Sequence, residues 1–199
     1  MSKRILFDID GVLADFILGF TTKAHELFGK EIHTTPKHQK WDFPDYSKSE
    51  LDTLWENIKL DGMFWYFLSP LVEYLTFNRI RGIMHKNEVY FVTNRPGINS
   101  KYQTETWLQY FLEVPATVVV ASRKGEFAKA IDADFSIEDK AENAWCIAWL
   151  SPNTKSYLLD RAFYRYDDTR IGSSKVIRVY SVDEYLDVIG GELDSQGNS

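Results

Sequence analysis

An apolar run near the amino terminus, ending in two acidic residues, constrains this chain more than any other feature. Residues 5–7 (Ile-Leu-Phe) lead into Asp8, Asp10 and Gly11. A short apolar run of this kind predicts a buried strand of a parallel sheet, and Gly11 predicts a sharp turn after it. Asp8 should then lie at the carboxyl end of that strand, the edge where open α/β sheets bind ligands. Because two carboxylates repel each other there, their presence indicates a bound cation or a reaction.

The length and composition of the chain are those of an ordinary globular protein. With 199 residues, 44% of them hydrophobic, it can bury one substantial core and carry a small accessory domain. The sequence contains no apolar run of membrane-spanning length and no signal-peptide segment at its start, so we expect a cytoplasmic protein without a membrane partner. Its single cysteine, Cys146, lies in an apolar helical pattern, which predicts a buried structural thiol and excludes an internal disulfide.

The charge balance restricts the class of partner. A formal net charge of -6 argues against a long nucleic acid, because such a partner needs a broad basic face. It leaves open a small phosphorylated ligand, since a local cation can outweigh the overall charge.

Further apolar runs predict five more strands, at residues 89–93, 117–121, 135–137, 157–159 and 176–179. Helical patterns separate most of them, at residues 100–111, 125–131 and 140–150. The first places Trp107, Tyr110 and Phe111 on one side, and the third places Trp145 at helical spacing with Ala141, Ala144 and Ala148. Ser181 and Glu184 form a capping box that opens a last helix. Strands that alternate with helices predict an α/β fold with a doubly wound parallel sheet.

Residues 15–67 interrupt this alternation and predict a small helical cap inserted after the first strand. One helical face begins at Phe16, and Ser47 with Glu50 forms a capping box before a second helix that carries Trp55. Aromatic residues are frequent in this region. A small hydrophobic core would need them, and so would a lid that stacks on a planar ring of a ligand. We predict packing at the cap–core hinge for the aromatic run at residues 64–67. The predicted domains are a core at residues 1–14 and 68–190, a cap at 15–67 and a flexible tail at 191–199.

Polar residues follow three of the later predicted strands at the point where each strand ends. Because parallel strands open on one edge of a doubly wound sheet, these residues can converge with Asp8 and Asp10. They are Thr93 with Asn94, Lys124, and Glu138 with Asp139.

This set of groups suits phosphoryl transfer through an aspartyl-phosphate. Asp8 would attack phosphorus, and Asp10 would donate a proton to the leaving alkoxide and later take one from water. A carboxylate about 4 Å from a phosphate meets roughly 4 kcal/mol of repulsion per charge pair at an effective dielectric near 20. The site therefore needs compensating positive charge.

Magnesium would supply most of that charge. Oxygen ligands are what Mg²⁺ prefers, and Asp8, the main-chain carbonyl of Asp10 and Asp139 would hold it. Lys124 would add a fixed ammonium group. Thr93 and Asn94 would donate hydrogen bonds to phosphate oxygens.

These residues carry a family resemblance. Residues 8–12 (D-I-D-G-V) look like the first motif of the haloacid-dehalogenase-like (HAD) hydrolases, and Thr93, Lys124 and Asp139 resemble the second, third and fourth motifs. More narrowly, the chain is similar to the 5′(3′)-deoxyribonucleotidase branch and its bacterial and phage relatives. The likeness extends from Arg4 to about Ile189. Its landmarks are D-I-D-G-V-L-A-D-F at residues 8–16, L-D-G-M-F-W-Y-F-L-S-P at 60–70, F-S-I-E-D-K-A-E-N at 135–143 and Y-L-L-D-R-A-F-Y-R at 157–165.

The resemblance implies a Rossmann-like HAD core with a helical cap, and it assigns a role to each matching residue. Asp8 matches the nucleophile, Asp10 the general acid and base, Thr93 and Lys124 the phosphate-binding positions, and Asp139 a metal ligand. Phe16 matches an aromatic residue that stacks near the base, Trp55 matches a cap aromatic of the same pocket, and Trp41 is a further pocket candidate.

The chain departs from the family pattern at two positions. The fourth motif usually reads Asp-Asp and here reads Glu138-Asp139, so Glu138 could reach the metal only through water. Asn94 stands where a serine is common, which could alter contacts to phosphate or base. Lys129 competes with Lys124 for the third motif, and we favour Lys124 because it begins the helix after the strand.

Several alternatives remain at this point. Phe16 and Trp55 could form the core of the cap instead of binding a base, and Thr93 could simply cap a helix. The function we expect is a cytoplasmic Mg²⁺-dependent phosphomonoesterase acting on nucleoside monophosphates, with deoxy forms preferred. The alternatives are a HAD phosphatase of another small ester, one acting on a polynucleotide 3′-phosphate, or a non-catalytic nucleotide-binding module. Aromatic residues of the cap could also support a homodimer.

Overall fold

The computed structural model describes residues 2–32, 43, 45–160 and 175–195. Strands and helices alternate along these residues for most of their length. In chain order they are β1 (Arg4–Asp8), α1 (Phe16–Phe28), α2 (Lys48–Leu60), α3 (Tyr74–Met84), β2 (Glu88–Thr93), α4 (Ser100–Leu112), β3 (Thr117–Val120), α5 (Lys124–Ala130), β4 (Phe135–Glu138), α6 (Ala141–Leu150), β5 (Lys155–Leu159), β6 (Val176–Val179) and α7 (Val182–Ser195).

The strands form one parallel sheet in the order β3-β2-β1-β4-β5-β6. The first strand therefore lies inside the sheet, with β2 on one side and β4 on the other. Phe7 pairs with Phe91 of β2 and Ile137 of β4. This register brings the carboxyl ends of all three strands to the same edge and confirms the predicted doubly wound α/β fold.

Both faces of β1 are buried, as its continuous apolar run predicts. Phe7 belongs to the larger core cluster, which includes Trp107 of α4 and Tyr185 of α7. Leu6 points to the opposite face and packs with Ala128 of α5 and Ile147 of α6. Alternate side chains of a strand face opposite sides, so one strand supports helices on both faces of the sheet.

Helices α1 and α2 form a unit that stands apart from the alternating pattern. The backbone N–H of Asp15 donates to the carbonyl of Ser69 at 2.8 Å, and that of Leu71 donates to Leu13 at 2.7 Å. The chain thus leaves the core and returns to it at neighbouring points. The predicted capping box is confirmed at α2, where Ser47 and Glu50 bond each other's backbone reciprocally.

Helix α3 is an element that the sequence did not predict. Its buried residues are Thr76, Phe77 and Ile80, whereas the apolar Leu75 is exposed and Glu73 makes no side-chain cap. Exposed apolar positions and a missing cap weaken the helical periodicity that sequence analysis depends on.

The predicted flexible tail is wrong for residues 191–195. Helix α7 continues through Gly190 and Gly191 to Ser195, and Leu193 packs partly against the core. Two glycines lower helix propensity by about 1 kcal/mol each, but the apolar contact of Leu193 offsets part of that cost.

Three further packing predictions need correction. Tyr110 of α4 is 70% exposed, although the sequence placed it on one face with Trp107 and Phe111. Trp145 of α6 is exposed and stacks on the exposed Trp149. Cys146 is half-buried. Its Sγ packs against Gly125, where an added Cβ would lie only 2.8 Å from the sulfur. None of the described helices has the combination of length and apolar character that crossing a bilayer requires.

Candidate active site

Asp8 lies at the carboxyl end of β1 and is almost fully buried. Its Oδ1 accepts a hydrogen bond from the backbone N–H of Ile9 at 2.7 Å. The same oxygen lies 2.7 Å from Nζ of Lys124. These contacts fix the carboxylate at the sheet edge where a ligand is expected.

Lys124 begins α5 and is buried beneath this edge. Its ammonium group contacts Asp8 and also Glu138, the latter at 3.0 Å. Burial by itself lowers the pKa of Lys124, but the charges of Asp8 and Glu138 raise that pKa above its usual value. Lys124 is therefore a permanent cation, whereas the rival Lys129 is exposed to solvent.

Glu138 and Asp139 complete a buried acidic group around Asp8. One oxygen from each of these three carboxylates lies within 4.8 Å of the others. Burial raises the pKa of Glu138 and of Asp139 well above the usual range, and the charge of Asp8 raises both further. Glu138 is partly compensated, because it accepts hydrogen bonds from Lys124 and from Asn143 at 3.1 Å.

Asp139 is the carboxylate that most clearly fits a metal ion. Both of its oxygens are buried, and neither has a hydrogen-bond partner among the described residues. Gly11 makes room for it: the backbone there has φ +82°, and a Cβ would lie 1.9 Å from Asp139 Oδ2. Buried carboxylate oxygens without donors suit a hard divalent cation such as Mg²⁺.

Asp10 lies beside Asp8 but has different partners. Its carboxylate accepts a hydrogen bond from the Thr93 hydroxyl at 3.0 Å. The guanidinium of Arg95 holds the same carboxylate through Nη2 at 2.7 Å and Nε at 3.0 and 3.1 Å. Asp10 is therefore held by donors from Thr93, the last residue of β2, and from Arg95, two residues later.

Asp8, Asp10 and Lys124 share a cavity of about 220 Å³ with aromatic side chains. Glu138 and Asp139 lie close to Asp8 but do not line the cavity. We call Asp8, Asp10, Lys124, Glu138 and Asp139 the charged cluster, and Phe16, Trp55 and Trp65 the aromatic cluster. The cavity is lined by Asp8, Asp10, Phe16, Trp55, Trp65, Thr93, Asn94, Pro96, Ser122, Lys124, Lys140 and Asn143.

The aromatic cluster has near-parallel rings. Phe16 lies 5.8 Å from Trp55 at an interplanar angle of 12°, and 5.9 Å from Trp65 at 17°. Phe16 and Trp55 also pack on Phe20 inside the helical unit. The contacts with Phe20 match the interpretation of these two residues as core of the helical unit, and both side chains also line the cavity. Base binding by Phe16 and Trp55 stays a prediction. Trp41 lies outside the described residues.

Sequence reasoning missed two residues of the site. Arg95 follows Thr93 and Asn94 in the turn after β2, and only its position there hinted at a role. Trp65 lies in the aromatic run that we assigned to packing; it is buried as expected, but it also lines the cavity. Phe67, from the same run, is 72% exposed.

A family model decides the relationship of this chain to known proteins. It is described as 5′ nucleotidase, deoxy (pyrimidine), cytosolic type C protein (NT5C), and it matches residues 2–152. The chain belongs to the NT5C family. The resemblance drawn from the motifs is thereby confirmed, and this NT5C member is a hydrolase that acts on phosphoric monoesters, with the fold of HAD-like hydrolases.

Solved structures of low sequence identity share the fold of this NT5C member. A haloacid dehalogenase-like hydrolase from Burkholderia xenovorans LB400 has a TM-score of 0.59 at 12% identity, covering 93% of this chain and 97% of its own. A HAD family hydrolase from Deinococcus radiodurans R1, with bound phosphate and sodium, has a TM-score of 0.53 at 14% identity and coverages of 89% and 91%. CbbY from Rhodobacter sphaeroides, in complex with phosphate, has a TM-score of 0.55 at 12% identity, with coverages of 92% and 96%. No curated protein sequence matches the chain.

Proposed function

We propose that this protein is a Mg²⁺-dependent 5′(3′)-deoxyribonucleotidase that dephosphorylates nucleoside monophosphates through an aspartyl-phosphate. The observation that carries the proposal is the pairing of Asp8 with Lys124 in a cavity that Asp10 and an aromatic cluster also line. This arrangement provides a nucleophile, a fixed cation, a second carboxyl group and a surface for a planar ring.

In the first half-reaction, an oxygen of Asp8 attacks phosphorus and the ester P–O bond breaks. Asp10, in its protonated form, gives its proton to the leaving alkoxide, so the nucleoside departs as an alcohol. Lys124 lies 2.7 Å from Asp8 and offsets the repulsion between the carboxylate and the phosphate.

In the second half-reaction, water attacks the phosphorus of the aspartyl-phosphate. Asp10, now ionised, takes a proton from that water, and the bond from phosphorus to Asp8 breaks. Inorganic phosphate leaves, and both aspartates return to their starting states.

Asp8, Asp139 and the main-chain carbonyl of Asp10 are the groups we assign to the metal, and Glu138 lies close enough to join them. When bound, Mg²⁺ would neutralise the charge that gathers where the phosphate meets Asp8. Asn94 and Thr93 would donate hydrogen bonds to phosphate oxygens, although the Thr93 hydroxyl is bonded to Asp10 here.

The aromatic cluster supports a nucleotide as substrate, because Phe16, Trp55 and Trp65 offer near-parallel rings against which a base can stack. The net charge of -6 supports a small ligand instead of a long nucleic acid. A cytosolic location is supported by the description of the family.

A panel of phosphate esters assayed with Mg²⁺ and with EDTA tests the proposal. We expect deoxynucleoside monophosphates to be hydrolysed with a higher kcat/KM than sugar phosphates such as ribose 5-phosphate, and EDTA to abolish turnover. A panel in which sugar phosphates rank above nucleotides would contradict the substrate assignment.

The nucleophile is tested separately by Asp8→Asn. We expect turnover to fall by at least about 10³-fold, because an amide cannot form the acyl phosphate, while the unfolding midpoint stays close to that of the wild type. Phosphate release at a near wild-type rate by this variant would rule out the aspartyl-phosphate.

A further inference from the structure

Arg95 is the largest charged side chain in the interior of the described residues. Its side chain has 0% exposure, whereas that of Asp10 has 18%. Arg95 is also absent from the lining of the cavity. An enclosed guanidinium of this kind cannot reach a substrate, so any effect on the reaction must pass through a neighbour.

That neighbour is Asp10. Nε and Nη2 of Arg95 both face the carboxylate, with contacts of 2.7 to 3.1 Å. Two donors of one planar fork on one carboxylate fix its plane as well as its position. The Thr93 hydroxyl donates to Oδ2 of the same carboxylate, so both oxygens of Asp10 are held by donors.

Two further contacts hold Arg95 itself in place. Its Nη1 donates to the Thr104 hydroxyl at 2.9 Å, and that hydroxyl donates to the carbonyl of Ser100 at 2.6 Å. The ring of Trp65 covers the guanidinium, with its centroid 4.9 Å from Cζ. The indole N–H of Trp65 is anchored on the Pro96 carbonyl at 3.1 Å.

On the proposed function, we infer that Arg95 is a positioning residue for the general acid: it aims the carboxyl group of Asp10 at the leaving oxygen of the ester. Burying an ion pair costs desolvation, and a buried pair is weak evidence for stability. A catalytic group, by contrast, gains from rigid support, because a misplacement of about 1 Å can cost 10²-fold in rate.

This role makes a prediction that a merely structural role does not. Proton donation matters for a poor leaving group such as a nucleoside alkoxide and matters little for p-nitrophenolate. Loss of positioning should therefore depend on the leaving group. The parameter to compare is kcat/KM, because it reports only the steps up to and including formation of the aspartyl-phosphate. The later hydrolysis of that intermediate does not affect it.

The experiment uses the full chain with Arg95→Met and two esters, a deoxynucleoside 5′-monophosphate and p-nitrophenyl phosphate. We expect kcat/KM to fall by about 10²-fold for the nucleotide and by less than about 3-fold for p-nitrophenyl phosphate. Arg81→Met is the matched control. Arg81 also forms an ion pair, with Glu113, but it lies near the end of α3, which leads into the edge of the sheet opposite to the site. This control variant should leave both values unchanged.

A double-mutant cycle with Asp10→Asn isolates the pathway. If Arg95 acts only through Asp10, adding Arg95→Met to Asp10→Asn should change kcat/KM for the nucleotide by less than about 2-fold. Three results would overturn the inference. Arg95→Met could lower kcat/KM equally for both esters, it could lower kcat/KM for neither, or it could cause its full loss again in the Asp10→Asn background.

Thr104→Val keeps the inference testable if Arg95→Met does not fold, as judged by circular dichroism. This variant keeps the side-chain shape and removes the hydroxyl that accepts a hydrogen bond from Arg95. We expect its kcat/KM to fall about 5-fold more for the nucleotide than for p-nitrophenyl phosphate. If this leaving-group bias is absent, the positioning role of Arg95 is overturned. A wild-type protein that hydrolyses neither ester would overturn the proposed function itself, whereas wild-type turnover with no bias in the variants would overturn this inference alone.

Discussion

The charged cluster and the aromatic cluster are built in different ways. The charged cluster lies at the ends of β1, β3 and β4 and is supported by the sheet, with Lys124 bonded to two carboxylates. The aromatic cluster comes from the helical unit and the segment that returns to the core, and it is supported by ring packing. Under the proposed function, reaction and recognition are divided between the two clusters: the groups held by the sheet carry out the chemistry, and the rings held by packing select the substrate.

The largest expected effect, after loss of the nucleophile, concerns the cation of the charged cluster. Lys124→Met should lower kcat/KM about 10²-fold for every ester, because Asp8 and the phosphate lose their fixed positive charge. Steady-state kinetics measures this, and Lys129→Met is the matched control because Lys129 is exposed on the same helix. Equal activities of the two variants would place the phosphate-binding cation elsewhere.

The next effect concerns room for the metal. Gly11→Ala should raise the Mg²⁺ concentration for half-maximal activity by about 10-fold, since the new Cβ would displace Asp139. Gly29→Ala serves as the control, because Gly29 also has positive φ, +67°, but a Cβ there meets nothing within 4 Å. If the two alanine variants respond alike to Mg²⁺, backbone strain alone explains the result and the metal assignment loses its support.

A smaller effect is expected at the aromatic cluster. Trp55→Leu should raise KM for a deoxynucleoside monophosphate about 5-fold through lost stacking and leave KM for ribose 5-phosphate unchanged. This outcome would sharpen the division between recognition and chemistry. Trp149→Leu, which alters an exposed ring stacked on Trp145, should change neither value. A drop in kcat for both substrates with Trp55→Leu would show that this ring supports the chemistry and not only recognition.

The smallest effect concerns pH in the absence of metal. Burial and the charge of Asp8 raise the pKa of both Glu138 and Asp139, whereas the charge of Lys124 lowers both. For Asp139, the charge of Lys140 also lowers the pKa and that of Asp10 raises it. A pKa raised in the folded state means that the folded protein holds more protons than the unfolded chain. Stability in EDTA should therefore fall as pH rises from about 5 to 8.

Thermal unfolding checks this expectation. The unfolding midpoint should decline across that pH range in both proteins, and we expect the decline to be about 3 °C smaller in Asp139→Asn than in the wild type. We also expect Mg²⁺ to raise the wild-type midpoint more at pH 8 than at pH 5. Lys124 contributes no slope here, because its raised pKa keeps it charged throughout. Identical declines in the two proteins would remove Asp139 as the source.

Local patterns explain which parts of the fold were predictable. The strands were found because each is a short apolar run, and α2 was found because its capping box lies within four residues. Helix α3 was missed because Leu75 is exposed, which breaks its periodicity. Tyr110 was assigned to the wrong face because aromatic character does not by itself determine burial.

The same distinction applies within the site. The order of strand ends can be read along the chain, so it was predictable that Asp8 and Asp10 lie at the end of one buried strand and that Lys124 and Asp139 follow others. That Arg95 supports Asp10, and that Trp65 faces the cavity while covering Arg95, emerged only from the packing. A strand end is a local property of the sequence, whereas the partner of a buried charge depends on which distant surfaces pack together.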